Sequence, residues 1–289
     1  MQTLIIGATG NIGSTITQQL AARQIYPRLS GRSVERVQAL FPHHKDIVVL
    51  DFTQPATFAT ALAGVQRLFF IAPHRHPVES IRLFLQVAKE AGVERVIFSS
   101  GRTTADIKGT PLYHVEQLVR ASGISYTIIR PGWFMQNFTG WIGHPDIDET
   151  GKFYLPAADS KTAFVDVRDI AAVAICCLLE DHHLGKVYEL TSDEALDHHQ
   201  VAHKIALRCH RPVQYVPLSD EAFIDYKLSK GWSSDLAKHT VMLYRIVRQT
   251  SKEAKVSRDV ERVLHRLPIS FDEFVETHWR DDNYVTTKL

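Results

Sequence analysis

The 289-residue chain carries 33 Lys and Arg against 32 Asp and Glu, so it has no global field that would draw it to nucleic acid or an anionic membrane. Its three cysteines, Cys176, Cys177 and Cys209, are too few and too poorly spaced for a disulfide framework or a zinc knuckle, which fits a reducing compartment. No apolar run approaches the length of a bilayer span and no leader-like segment precedes the first strand, so a soluble, cytoplasmic protein is expected, with one large domain or two modest ones.

Thr3 to Ile6 (TLII) reads as a buried strand, and the glycines Gly7, Gly10 and Gly13 follow it directly. A helical run from Ser14 to Arg23 comes next. Gly7 suits a tight turn off the strand, Gly10 a close approach to a pyrophosphate, and Gly13 tight packing of helix on sheet. The free N–H groups at the helix start favour an anionic phosphate. The spacing G-x-x-G-x-x-G differs from the G-x-G-x-x-G fingerprint, but its placement between strand and helix points to a dinucleotide site. Thr9, Asn11 and Ile12 lie in the same loop.

Short strands are then expected at 26–31, 46–51, 65–72, 94–100 and 125–130, separated by helices at 34–41, 55–62, 78–91 and 112–121. The fourth, VQRLFFIA, is almost continuously apolar, as when both faces of a strand are covered. This unbroken alternation predicts an α/β, Rossmann-type doubly wound parallel sheet. From Trp133 onward segments shorten. Strand-like pieces fall at 152–155 and 162–165, a long apolar helix at 169–179, and a further strand at 186–191. Residues 197–280 read as mostly helical, with one strand near 212–216. The expected organisation is a nucleotide-binding domain over 1–132. Residues 133–289 form a smaller, mostly helical substrate-binding lobe, interleaved with the first as a cap.

Ligands on such sheets sit beyond the carboxyl ends of the strands. Those ends carry Gly7 to Gly13, Arg32, Asp51 and Phe52, Ala72 and Pro73, Ser99, and Pro131, Gly132 and Trp133. Where a NAD site places a ribose-binding acid, this chain reads Leu29-Ser30-Gly31-Arg32-Ser33, with no carboxylate before Glu35. A guanidinium there suits a 2′-phosphate, which favours NADP(H), with NAD(H) as the alternative. Phe52 is a candidate apolar wall for the adenine. Asp51 either lies beside the adenine or serves as a helix N-cap.

GATGNIG at the start, Gly31-Arg32, Asp51-Phe52, FSS at 98–100 and the run EQLVRASGISYTIIRPGWFMQNF over 116–138 resemble the NmrA-like branch of the atypical short-chain dehydrogenase/reductases. FVDVRDIA (164–171) and GKVYELT (185–191) extend the likeness to about residue 218; the remainder has no such likeness. The branch includes NAD(P)H quinone oxidoreductases, triphenylmethane reductases and redox-sensing regulators. The resemblance places Pro131, Gly132 and Trp133 near the nicotinamide and Ser99 near the cofactor.

One departure matters. Typical short-chain dehydrogenases pair a Tyr with a Lys four residues on, whereas Tyr113 here is followed by Gln117. Counting back from Glu116, the family pair falls on Lys108 and Leu112. Proton delivery to an alkoxide therefore lacks its usual acid. Hydride transfer to a quinone, dye or other conjugated small-molecule acceptor asks for orientation, stacking and dryness instead. Trp133, Phe134, Phe138 and Trp141 are candidates for an acceptor pocket, or else core between the lobes. Tyr113, His114 and Asn137 are candidate hydrogen-bond donors to an acceptor oxygen. A non-catalytic NADP(H) sensor acting through a protein partner is the alternative, and an enoyl or imine reductase a third. A homo-oligomer is compatible with all three.

Fifteen histidines include the pairs His43-His44, His74-x-His76, His182-His183 and His198-His199. They lack the carboxylate–histidine spacing of a known metal helix, so they are read as surface or loop residues and no metal is expected. Asp146 and Asp148 read as an exposed loop, Ser99 and Ser100 have no evident His and Asp partners, and the mixed-sign stretch 252–266 reads as a solvated helix face.

Overall fold

In the computed structural model of the chain, residues 2–72, 78–140 and 144–279 are described. In chain order they form β1 (Gln2–Ile6), α1 (Asn11–Ala22), β2 (Arg28–Gly31), α2 (Val34–Leu40), β3 (Ile47–Val49), α3 (Ala56–Leu62), β4 (Val65–Ile71), α4 (Val78–Glu90), β5 (Arg95–Ser99), α5 (Pro111–Ala121) and β6 (Ser125–Pro131). There follow α6 (His144–Thr150), β7 (Lys152–Leu155), α7 (Val167–Leu179), β8 (Val187–Leu190), α8 (His198–Cys209) and β9 (Gln214–Pro217). The last elements are α9 (Asp220–Ser229), α10 (Ser234–Gln249), α11 (Asp259–Leu264) and α12 (Phe271–His278).

The chain divides into two compact units. One comprises Met1–Pro131, Val167–Leu190 and Asp259–Arg266; the other holds Gly132–Asp166, Thr191–Arg258 and Leu267–Leu289. The first unit is thus assembled from three segments of the chain rather than from residues 1–132 alone. After an excursion the chain returns twice, once to supply α7 and β8 and once to supply α11. The apolar surface of α7 shows why. Ten of its thirteen residues are buried, so this helix needs neighbours on nearly every side.

The first unit is built on a seven-stranded sheet in the order β3-β2-β1-β4-β5-β6-β8, with every pairing parallel. Strand order reverses between β1 and β4, the crevice at which doubly wound sheets bind ligands. β5 is buried at all five positions, as a strand covered on both faces must be. On one face of this unit's sheet, Phe52, Phe58, Phe84, Phe70 and Phe98 pack together with Leu4, Leu68 and Val96. Phe52 and Phe58 both meet Phe84 edge-on, the favoured arrangement for aromatic pairs.

The second unit has β7 and β9 as a parallel pair and is otherwise mostly helical. Its core gathers Phe138, Phe153, Phe164, Tyr215, Tyr244 and Phe271. The strand expected at 162–165 is absent. Thr162 and Val165 make only single bridges, to Leu196 and Phe134, because the segment bends between two partners. The stretch 252–266 is not one solvated helix either. It is a turn followed by α11, with Glu253 buried and Arg266 Nη2 donating to Asp169 Oδ1 at 2.6 Å. Among the described residues no helix is long and apolar enough to cross a membrane.

Candidate functional site

The loop after β1 is shaped by two glycines. Gly7 has φ +79°, a conformation that side-chain-bearing residues rarely adopt. At Gly13 a Cβ would lie 2.2 Å from the carbonyl oxygen of Gly7, so nothing larger than hydrogen fits between α1 and the loop. Gly10 N–H donates to Gly7 O at 2.9 Å and closes the turn. Gly10 is also the N-cap of α1, which has no side-chain cap bond and no acid in its first turn. The helix therefore offers free N–H groups and the positive end of its dipole, beside exposed Thr9, Gly10 and Asn11. That is the chemistry of a phosphate site. Ile12 is buried, so only its backbone is presented in this loop.

At the carboxyl end of β2, Arg32 is exposed. Ser33 caps α2, its Oγ accepting from Arg36 N–H at 3.2 Å. The same hydroxyl donates to Glu35 Oε2 at 2.6 Å, and this bond holds the Glu35 carboxyl below its ordinary range. The nearest carboxylate after the strand is thus tied to its own turn, and the guanidinium is left facing outward.

At the end of β3, Phe52 and Asp51 differ from expectation in one respect each. Phe52 is 4% exposed and packs inward against Phe58 and Phe84, so its ring is core rather than an outward wall. Asp51 is not the helix N-cap that one of its two readings made it. Its Oδ1 accepts from the backbone and hydroxyl of Thr53 at 2.9 and 2.8 Å, which fixes the turn into α3, whose N-cap is Pro55.

At the ends of the central strands, Ala72 is half-buried, while Pro73, His74 and His76 lie outside the described residues. Ser99 and Ser100 are buried, and the Ser100 Oγ has no hydrogen-bond partner among the described residues. Pro131 closes β6 opposite Leu190. On α5, Tyr113 is half-buried and His114 exposed, their rings edge-on at 5.7 Å. Gln117 and Lys108 are both exposed.

A charge network behind these strand ends was not anticipated. Arg130 donates to both oxygens of Glu116, at 2.8 and 2.7 Å, and to Asp106 at 2.9 Å. Its guanidinium pKa is raised, chiefly by the Glu116 bonds. Arg102 pairs with Glu189 at 3.0 Å, whose N–H in turn donates to Asp259.

In the second unit, Trp133 packs against Tyr244 with centroids 4.6 Å apart and the rings tilted by 37°. Both Trp133 and Phe134 are half-buried and keep accessible surface. Phe138 differs. It is 1% exposed and ringed by Phe153, Phe164 and Phe271 at 5.3 to 5.8 Å, so it is core and has no face for an acceptor. Asn137 is buried. Trp141 lies outside the described residues. Asp146, expected in an exposed loop, is buried, with Lys230 Nζ at 3.3 Å. Two of the histidines read as surface or loop residues, His183 and His198, are also buried.

The NmrA-like family model matches residues 2–275. The chain belongs to the NmrA-like family. It is 30% identical to an NAD(P)H azoreductase from Xenophilus azovorans over 95% of this chain and 97% of that one. It is 32% identical to quinone oxidoreductase 2 of Escherichia coli K12 over 81% of this chain and 83% of that one. A crystal structure of an NADPH-dependent quinone oxidoreductase from Escherichia coli, complexed with NADPH, superposes with TM-score 0.84 at 25% identity, covering 96% of this NmrA-like chain and all of the other.

Proposed function

We propose that this NmrA-like protein is an NADPH-dependent reductase that passes hydride to a quinone or similarly conjugated small molecule without a Tyr/Lys proton-donor pair. The observation that carries the reading is the loop after β1, where Gly13 admits no side chain against the Gly7 carbonyl and α1 begins with its N–H groups uncapped. The residues fit a pyrophosphate, with Gly7, Thr9, Gly10, Asn11, Ile12 and Gly13 around it. Arg32, with Glu35 tied to Ser33, suits the 2′-phosphate of NADPH better than the bare ribose of NADH. The nicotinamide supplies the hydride when bound. Ala72, Ser99, Pro131 and Gly132 stand at strand ends where that ring would be oriented.

The acceptor side rests on Trp133 and Phe134, which keep accessible aromatic surface. Phe138 is no longer part of it. Reduction of a quinone or an azo dye spreads the incoming charge over a conjugated system, so a strongly tuned acid is dispensable. Tyr113, His114 and Asn137 are the candidates for donors to an acceptor oxygen. The names of the azoreductase and quinone oxidoreductase relatives agree with this class of acceptor.

The test is NADPH oxidation by the purified protein across quinones and azo and triphenylmethane dyes, with NADH alongside. Turnover of at least one acceptor, faster with NADPH, is expected. Tight cofactor binding with no oxidation by any acceptor would instead make it a sensor of NADP(H) that acts through a partner.

A further inference from the structure

The turn between α7 and β8 brings together three donor groups that the function above does not use. Glu180 Oε2 lies 3.4 Å from His183 Nε2 and 3.5 Å from His182 Nε2, and one ligand atom from each residue falls within 4.8 Å of the others. Metal–nitrogen and metal–oxygen bonds to zinc of about 2.0–2.2 Å place tetrahedral neighbours roughly 3.4 Å apart. The carboxylate-to-imidazole separations are thus those of a metal's coordination edges.

A second observation concerns the setting of His183. Its side chain is 2% exposed, and Nε2 makes no well-formed hydrogen bond among the described residues, its one charged neighbour being the Glu180 carboxylate at 3.4 Å. Its other nitrogen, Nδ1, is 2.9 Å from the Tyr188 hydroxyl. A metal-bound histidine characteristically has its second nitrogen fixed in this way.

The backbone beneath the cluster is pinned. Arg95 Nη1 donates to the carbonyls of Cys177, Leu178 and Glu180 at 2.9 to 3.2 Å, and Arg95 also pairs with Asp181. Thr127 Oγ1 holds the carbonyl of His183 at 2.8 Å. The carboxyl end of α7 contributes the negative end of its dipole, which favours a cation. The Arg95 guanidinium is taken up by the carbonyls and Asp181 rather than by the Glu180 carboxylate.

We propose that Glu180, His182 and His183 bind one divalent transition-metal ion, zinc by the character of the donors, and that the ion fastens the end of α7 to the start of β8. Two imidazoles and one carboxylate leave a fourth position for water. The cluster precedes β8, near the amino ends of the parallel strands, whereas the glycine loop is at their carboxyl ends. The ion's role is therefore stabilisation, not hydride chemistry.

The experiment is calorimetric titration of the tag-free, EDTA-dialysed full chain with zinc chloride, paired with thermal melts. Wild type is expected to bind one Zn²⁺ with a Kd on the order of 1 μM or tighter and to melt at a higher temperature with zinc than without. His182→Asn, at a side chain 68% exposed, should fold normally and bind at least about tenfold more weakly. Tyr188→Phe should lose about 10–100-fold by freeing the His183 ring. Absence of saturable binding below about 100 μM overturns the proposal, as does zinc bound by His182→Asn as tightly as by wild type, which would place the ion at another histidine pair.

Discussion

Arg130 and Glu116 form a two-bond fork, with Nε and Nη2 of the arginine each donating to a different carboxylate oxygen at 2.8 and 2.7 Å. Glu116 is 1% exposed, so its charge has left water and depends on this partner. Arg130 immediately precedes Pro131, at the end of the strand proposed to face the nicotinamide. The pair ties α5 to β6 and fixes where that strand stops.

Arg130→Met should leave the Glu116 carboxylate buried with only Arg120, at 3.7 Å, to compensate it. Losing one partner of a buried pair costs about 3–5 kcal/mol. In a chain of this size that lowers the melting temperature by on the order of 10 °C. The double variant Glu116→Leu/Arg130→Met should recover much of the loss, because no buried charge remains. Urea denaturation of the three proteins checks this, and a double variant as unstable as the single one contradicts it.

Gly13→Ala tests the cradle itself. A methyl group 2.2 Å from Gly7 O and 2.7 Å from its carbonyl carbon can be housed only by moving the loop or α1, at a cost of about 1–3 kcal/mol. The NADPH dissociation constant, read from nicotinamide fluorescence, should rise at least about tenfold. Unchanged affinity would place the cofactor elsewhere.

Arg32→Gln separates the two cofactors. A charged hydrogen bond to a 2′-phosphate is worth roughly 1.5–3 kcal/mol, so affinity for NADPH should fall about 10–100-fold while that for NADH stays within about twofold. Equal losses for both would assign Arg32 a structural role.

The sheet was legible because its strands are buried on both faces. Runs such as VQRLFFIA and ERVIFSS have no polar face to confuse with a helix, and the glycine loop sits between strand and helix as its chemistry requires. What escaped was information that spacing alone does not carry. The apolar run at 162–165 looks like a strand, but each end bridges a different segment. The all-round apolarity of 167–179 marked a helix enclosed by neighbours, yet nothing local said that it rejoins the first unit. Aromatic clustering after Trp133 could not distinguish wall from core, and Phe138 proved to be core. The pair Glu116 and Arg130 belongs to two elements, α5 and β6, that only folding brings side by side.

Phe138→Ala follows from that correction. Removing a ring enclosed by Phe153, Phe164 and Phe271 should cost about 3–5 kcal/mol of stability through lost burial and a residual cavity. KM for a quinone should change little at temperatures where the protein remains folded. A variant of normal stability with a large rise in KM would return Phe138 to the acceptor pocket.

His198 makes stability depend on pH. Its ring is enclosed by Phe138, Phe164, Tyr215 and Tyr244, and Nδ1 has no hydrogen-bond partner among the described residues. Burial pushes its pKa down from 6.5 to about 4, against a smaller upward pull from Asp197 and a slight further lowering by His199. The unfolded chain therefore binds a proton at about pH 6.5 that the folded chain refuses until about pH 4. Stability from this site is complete above pH 6.5, falls as pH drops through that window, and levels off below pH 4. The loss amounts to about 3 kcal/mol, at 1.36 kcal/mol per unit. His198→Phe removes both the proton linkage and the unpartnered nitrogen. The difference in unfolding free energy between variant and wild type, followed by urea titration from pH 7 to pH 4, should grow steadily in favour of the variant as pH falls. A difference that stays flat across the window would show that the wild-type ring is not held neutral, and that acid sensitivity arises from other groups.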